Sequence, residues 1–315
     1  MNGSNQSKAQ DVASMAAPLQ TFRWQLATDA TVGLALVAAT QRLTSARVDT
    51  PKLDSEVMLG HVLGWSRAQL YAHPEQLLTE EERTRFERLV VRRFQQEPVA
   101  YLVGEKAFYG LDFYVDPRVL IPRPETELLV DMILDVVLQY DEERGGQAPT
   151  LADIGTGSGA ISVAVAANTD TTRVYAVDIS PDALAVAISN AQRHGLMDRI
   201  QFLQGSLLNP LPEAVDIIAA NLPYIAAYEW DDLASGITDY EPTQALLGGA
   251  DGLDFIRNLL LQAPNYLNPN GVVLLEVGAS QGSAVAEAAR IAFPHALIEV
   301  LTDYAFRERI VRIQM

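Results

Sequence analysis

Apolar residues along this chain first recur at helical intervals and later at strand intervals. From Thr31 to about Gly64 they fall at Leu34, Val37 and Ala38, then at Val57, Met58, Leu59, Val62 and Leu63, with Asp49-Thr50-Pro51 between the two groups. Residues three and four apart share one helix face and Pro favours a helix's first turn, so the pattern predicts a helical hairpin. Thr79 and Glu82 have the spacing of a capping box. Phe86, Leu89, Val90 and Phe94 then mark the apolar face of a helix whose other face is Arg and Glu, and Pro98 is expected to end it.

Beyond Pro98 the period shortens. Ala107-Phe108-Tyr109-Gly110 and Phe113-Tyr114-Val115 read as two strands of a hairpin, closed by Pro117 and leading into Leu120-Ile121-Pro122. From about Glu125 a helix runs to Tyr140, followed by an exposed loop from Asp141 to Gly146. Apolar strands are expected near 150–154, 173–177, 200–203, 215–220, 271–277 and 296–301. Helix and strand in alternation predict an α/β unit, a mostly parallel sheet covered on both faces. The last segment, Phe306 to Met315, follows a short turn and should pair antiparallel at or near the sheet edge. The expected organisation is a disordered tail rich in Ser, Asn, Gln and Ala (1–20), a helical domain (21–103), a linker hairpin (104–122) and the α/β domain (123–315).

No apolar run approaches the roughly 18 residues of a membrane span and no signal-peptide pattern opens the chain, so a soluble, intracellular protein is expected. The absence of cysteine excludes disulfides and thiolate metal sites. His61, His73, His194 and His295 lack the local spacing of metal ligands, and no metal is expected. The charge is unevenly spread: residues 1–103 hold 11 Lys+Arg and 11 Asp+Glu, so the whole formal charge of −17 falls on residues 104–315. An acidic domain repels phosphate backbones at long range, which counts against a nucleic-acid substrate.

Leu151-Ala152-Asp153-Ile154-Gly155-Thr156-Gly157-Ser158-Gly159-Ala160 carries an apolar strand into an apolar helix through alternate glycines. Such a turn lets a ligand approach the backbone and sets it against the N–H groups of a helix N-terminus. Asp178 ends the next strand some twenty residues on, where a carboxylate accepts from both hydroxyls of a ribose. The pairing predicts a nucleoside-containing cofactor. It leaves the cofactor open, because Gly155, Gly157 and Ala160 also satisfy the dinucleotide pattern of a nicotinamide-dependent oxidoreductase. Asp153 either receives a ligand amino group or bonds its own turn, and Leu207 either covers an adenine face or is plain core.

The fourth strand, Val215 to Ala220, runs directly into Asn221-Leu222-Pro223-Tyr224 at its carboxyl end, where open α/β sheets bind ligands. An Asn side-chain carbonyl and the main-chain carbonyl of Leu222 form a pair of acceptors suited to the two N–H bonds of a planar amide or amine. Tyr224 can stack on the same plane. Such a site suits methyl transfer to nitrogen. A simple strand-ending turn is the alternative.

These residues resemble the HemK/PrmC protein-glutamine methyltransferases. The likeness runs from about Thr31 to the C-terminus and is carried by Glu97 to Leu102 with Phe108 and Phe113, Leu120 to Glu127, Asp153 to Gly159, and Asn221 to Tyr224. Tyr240-Glu241-Pro242, Ala245-Leu246, Gly248-Gly249 and Asp251-Gly252-Leu253 follow. It implies a class I, Rossmann-like methyltransferase domain with a seven-stranded sheet whose last strand is antiparallel, plus a small N-terminal helical domain joined by a β-hairpin. The implied cofactor is S-adenosyl-L-methionine, contacted by Gly155, Thr156, Gly157, Ser158, Gly159, Asp178, Leu207 and Asn221. Asn221, Leu222, Pro223 and Tyr224 would hold the glutamine of a Gly-Gly-Gln loop in class I peptide chain release factors, in the cytoplasm. Related enzymes methylate a ribosomal protein's glutamine or the adenine or cytosine amino groups of nucleic acids. Leu222 departs from the family's usual Asn-Pro-Pro-Tyr, which lowers the rigidity of the turn but leaves a main-chain carbonyl in place.

Overall fold

The computed structural model describes residues 24–143 and 148–315, so the tail expected at 1–20 lies outside the described residues. By packing, the chain divides into two compact units, with the boundary between Gln95 and Gln96.

Among the described residues the first unit holds four helices: α1 (Val32–Ser45), α2 (Pro51–Leu63), α3 (Arg67–Ala72) and α4 (Glu80–Phe94). Thr79 caps α4 as expected: its N–H donates to Glu82 Oε2 at 2.8 Å, and its Oγ1 accepts from the Glu82 N–H. The face of α1 differs from the expectation. Val32, Ala35, Ala39 and Leu43 are buried, while Leu34 and Val37 are 60% and 57% exposed. Apolar residues occupy more than one side of α1, so periodicity does not choose between them. The small Ala35 and Ala39 let α2 pack closely, and size decides the face. Phe86 and Val90 are the buried positions of α4, which an Arg93–Asp54 ion pair at 2.7 Å ties to α2. Pro98 does not end α4, which stops at Phe94; it caps the next helix, α5 (Val99–Val103).

In the second unit α5 leads to a hairpin of β1 (Glu105–Phe108) and β2 (Leu111–Tyr114). Tyr109 and Gly110, expected in the first strand, form its turn instead, with φ of 49° and 74°. Two positive-φ residues match the twist of the flanking strands. Helix α6 (Thr126–Glu143) runs three residues past the predicted end. The order then alternates: β3 (Thr150–Ile154), α7 (Ala160–Ala167), β4 (Arg173–Asp178), α8 (Pro181–Arg193), β5 (Ile200–Gln204), β6 (Val215–Ala220). After the short α9 (Ser235–Thr238) come α10 (Asp254–Gln262), β7 (Leu267–Glu276), α11 (Gly282–Ala292), β8 (Leu297–Thr302) and β9 (Glu308–Gln314).

The seven strands lie in the order β5-β4-β3-β6-β7-β9-β8, parallel except for β9, which pairs antiparallel with both β7 and β8. β9 is therefore one strand in from the edge. Every residue of β3 and β6 is buried, Thr150, Asp153 and Asp216 included, because central parallel strands are covered on both faces. The order turns back between β3 and β6, and the carboxyl ends of those two strands are where such a sheet opens a crevice. Gly155 follows one of them and Asn221 the other. Among the described residues no helix is long and apolar enough to cross a membrane.

Candidate active site

Gly155, Gly157 and Gly159 all take positive φ (76°, 56° and 78°), which sends the chain from β3 into α7 without a collision. The turn's N–H groups are largely used internally, contrary to the expectation that they stand free. Gly155 and Thr156 donate to the Val177 carbonyl at 2.8 and 3.0 Å, and Gly157 donates to Asp178 Oδ2 at 2.9 Å. The turn thus supplies shape more than donors. Asp178 also accepts from the Ser180 N–H, and burial raises its carboxyl above the usual range.

A cavity of about 270 Å³ opens over this turn. Gly155, Gly157, Asp178, Leu207 and Asn221 line it, as do Leu222 and Pro223. Leu207 holds φ of 51°, a costly conformation for a branched side chain, at the cavity wall. Thr156, Ser158 and Gly159 do not line the cavity. Thr156 Oγ1 donates to Asp153, the Ser158 carbonyl accepts from Asn190, and a Cβ on Gly159 would sit 3.1 Å from that of Ala187. They shape the turn from behind. Leu120, the first residue of the Leu120 to Glu127 segment, also lines the cavity, as do Ile179, Phe255, Gln244, Arg118 and Val119, which were not singled out from sequence. An Ile directly after the strand-ending Asp178 was the available signal for one of them, and the structure leaves it exposed.

Asp153 divides its two oxygens. Oδ2 accepts from Thr156 Oγ1, Ser162 Oγ and the Ser162 N–H at 2.6–3.1 Å, whereas Oδ1 is buried with no hydrogen-bond partner. Burial pushes this carboxyl up to about 6, against the pull of those hydrogen bonds.

A second cavity, about 160 Å³, shares Leu120, Asn221, Leu222 and Ala245 with the first and adds Arg123, Tyr224 and Ile225. Asn221 and Leu222 therefore stand at the wall common to both. Leu222 is buried, and its Cδ2 lies 3.1 Å from where a Cβ on Gly155 would be, so the residue in place of Pro packs against the glycine turn. The Asn221 Nδ2 donates to Thr126 Oγ1 at 3.0 Å. Burial, and after it the charge of Glu276, push the Tyr224 hydroxyl up to about 12, so the ring stays neutral.

The motifs outside the two cavities brace these walls. Tyr101 donates to the Val119 carbonyl, and Glu241 accepts from the Ile121 N–H and pairs with Arg123, which fixes the 118–123 segment. Gly248 and Gly252 pack on the main chain of the Asn221-to-Tyr224 tetrapeptide: a Cβ on Gly248 would fall 2.4 Å from the Pro223 carbonyl oxygen, and one on Gly252 2.2 Å from that of Tyr224. Gln281 donates from Nε2 to the Tyr224 carbonyl at 2.8 Å. Glu276 and Gln281 escaped the sequence reading, and Thr126 entered it only within the Leu120 to Glu127 likeness with no role of its own, because only the fold brings the three to Asn221 and Tyr224.

A family model described as a methyltransferase domain matches residues 148–289, and one described as the PrmC N-terminal domain matches residues 35–104. The solved catalytic domain of hMettl16, in complex with a MAT2A 3'UTR hairpin, has the same fold at TM-score 0.50 and 16% identity, over 74% of this chain and 81% of that one. Sheet order, glycine turn and these likenesses define a class I methyltransferase, the class that takes S-adenosylmethionine as its methyl donor. The release factor glutamine methyltransferase of Moorella thermoacetica is 41% identical over 280 residues, covering 89% of this chain and 96% of that protein. That of Bacillus anthracis is 38% identical over 259 residues, 81% of this chain and 90% of the relative. The chain belongs to the release factor glutamine methyltransferase family.

Proposed function

We propose that this protein methylates the side-chain amide nitrogen of the glutamine in the Gly-Gly-Gln motif of a class I peptide chain release factor, in the cytoplasm. The observation that carries the reading is the position of Asn221 and Leu222 in the wall common to both cavities, with Tyr224 in the second. Shared lining residues mean that the two cavities adjoin at Asn221 and Leu222, where an acceptor nitrogen can approach a donor methyl group directly.

The larger cavity fits S-adenosylmethionine. Asp178 offers carboxylate lone pairs to ribose hydroxyls, Gly155 and Gly157 leave room for close approach, and Leu207 supplies an apolar wall, while the fully buried Asp153 lies behind the turn and does not line the cavity. Thr156, Ser158 and Gly159 hold that turn in shape. The cofactor supplies an electrophilic methyl group; the chain's residues supply position. An amide nitrogen is a poor nucleophile because its lone pair is delocalised into the carbonyl. Asn221 Oδ1 accepts one of its N–H bonds and the Leu222 carbonyl the other, which fixes the amide plane, while the neutral Tyr224 ring stacks on it. Orientation of this kind contributes roughly 7–11 kcal/mol to lowering a barrier. The two carbonyl dipoles also stabilise positive charge as it develops on nitrogen. Once alkylated, that nitrogen is acidic and loses its proton without a dedicated base.

Incubation with isotope-labelled S-adenosylmethionine and a release factor, followed by peptide mapping, tests the proposal. Label on the Gly-Gly-Gln glutamine is the expected result. Label confined to another protein, or absent while the cofactor is bound, contradicts it.

A further inference from the structure

Two residues from distant parts of the second unit, Thr126 and Glu276, meet at the Asn221 side chain. Thr126 opens α6, Asn221 follows β6 and Glu276 ends β7. Thr126 and Glu276 are 5% and 3% exposed. Asn221 Nδ2 donates to Thr126 Oγ1 at 3.0 Å, and the hydrogens of Thr126 and Asn221 favour the charged form of the Glu276 carboxyl. Glu276 Oε2 has no hydrogen-bond partner in the site. A buried carboxylate is costly to keep, and neither the cofactor turn nor the acceptor cavity uses this one directly.

Its chemistry gives it a use. A primary amide has a donating end and an accepting end of nearly equal size, so nothing in the shape of Asn221 decides which end faces the acceptor cavity. A threonine hydroxyl can donate or accept and does not decide either. An ionised carboxylate only accepts, and it breaks the tie. With Glu276 at the end of the series, the Thr126 hydroxyl hydrogen is drawn toward the carboxylate. Its oxygen is then left to accept from Asn221 Nδ2, and Asn221 Oδ1 is left for the substrate. The reverse rotation sets the Asn221 carbonyl oxygen against Thr126 and Glu276 and offers the substrate's N–H a second donor.

We propose that Thr126 and Glu276 are positioning residues, which fix the rotation of the Asn221 amide so that its carbonyl oxygen meets the substrate nitrogen. The inference rests on the function proposed above, in which Asn221 Oδ1 is an acceptor for the glutamine N–H. Protonation of Glu276 removes the tie-breaker, since a neutral carboxyl can donate. The charged groups around it are Arg309 of β9, which favours the carboxylate, and Glu125 just before α6, which opposes it; the neutral Tyr224 stands nearby.

The test compares the full-length protein with Thr126→Val, Thr126→Ser and Glu276→Gln, measuring kcat and KM for the release factor, cofactor affinity by calorimetry, and kcat against pH. Thr126→Val should lower kcat roughly tenfold or more with cofactor affinity held within about twofold, and Thr126→Ser should restore most of it. Wild-type kcat should rise with pH through about 7, where Glu276 ionises. Glu276→Gln should lose that rise. If Thr126→Val is nearly as fast as wild type, if Thr126→Ser is as slow as Thr126→Val, or if Glu276→Gln keeps the wild-type pH profile, the proposal is overturned. Should Thr126→Val fail to bind cofactor or fold, the pH profile of Glu276→Gln decides alone. Wild-type protein that leaves the release-factor glutamine unmethylated overturns the function reading instead.

Discussion

The main-chain N–H of Gly157 donates to Asp178 Oδ2 across 2.9 Å, joining the glycine turn after β3 to the carboxylate that ends β4. The two features that announce the cofactor site in the sequence are thus one hydrogen-bonded unit. Asp178 sets the turn while its remaining lone pairs face the cavity.

Replacing Asp178 with Ala should therefore weaken binding of S-adenosylhomocysteine by roughly 1–3 kcal/mol, the cost of hydrogen bonds lost from a buried site. Calorimetry on the purified variant measures it. Unchanged affinity would assign the ribose contact to another residue.

Asn221→Ala should behave oppositely. It leaves the glycine turn and Asp178 intact, so cofactor affinity should stay near wild type, while turnover falls by roughly 100-fold or more as acceptor orientation is lost. Single-turnover rates check this. Turnover within a few-fold of wild type would remove Asn221 from the acceptor site.

Gly252→Ala tests the bracing of the tetrapeptide. Gly252 has φ of 81°, and a Cβ there would lie 2.2 Å from the Tyr224 carbonyl oxygen and 2.7 Å from Gln281 Nε2. The backbone must shift, so turnover should fall more steeply than cofactor affinity, with about 1–3 kcal/mol of stability lost to strain. Gln281→Ala removes one hydrogen bond from that carbonyl and should cost about 1 kcal/mol. Equal loss of cofactor affinity and turnover in Gly252→Ala would contradict a local effect on the acceptor site.

Buried carboxyls give the stability a pH dependence of definite sign. Burial pushes Asp153 up to about 6 and Glu276 up to about 7, so the folded state holds their protons more tightly than the unfolded chain. Stability from this source is full below the ordinary carboxylate range and is lost as pH rises through those values. The melting temperature of the cofactor-free protein should fall between pH 5 and pH 8, where the lowered carboxyls such as Asp116 no longer titrate. Glu276→Gln should flatten the upper part of that slope. An unaltered slope would show that Glu276 does not titrate there.

What the sequence disclosed depended on how local the signal is. β3 and β6 were legible because central parallel strands read as short, mostly apolar runs, each here interrupted by a single Asp, and the residues after them, Gly155 and Asn221, mark where a strand stops. The capping box at Thr79 and Glu82 is likewise contained in four residues. The face of α1 was not legible, since Leu34 and Val37 satisfy helical periodicity as well as Ala35 and Ala39 do, and only the partner helix distinguishes them. Tyr109 in a positive-φ turn gave no warning because a Tyr there is paid for by the hairpin around it. Thr126, Glu276 and Gln281 act through contacts spanning some fifty to a hundred and fifty positions of chain, which no local pattern encodes.

The most direct measurement of the central claim is a crystal structure of the protein with S-adenosylhomocysteine and a Gly-Gly-Gln peptide. The account predicts the glutamine Nε2 within hydrogen-bond distance, about 3 Å, of both Asn221 Oδ1 and the Leu222 carbonyl oxygen, with the Tyr224 ring against the amide plane. A glutamine amide seated away from Asn221, or an Asn221 that turns Nδ2 toward the peptide, would contradict it.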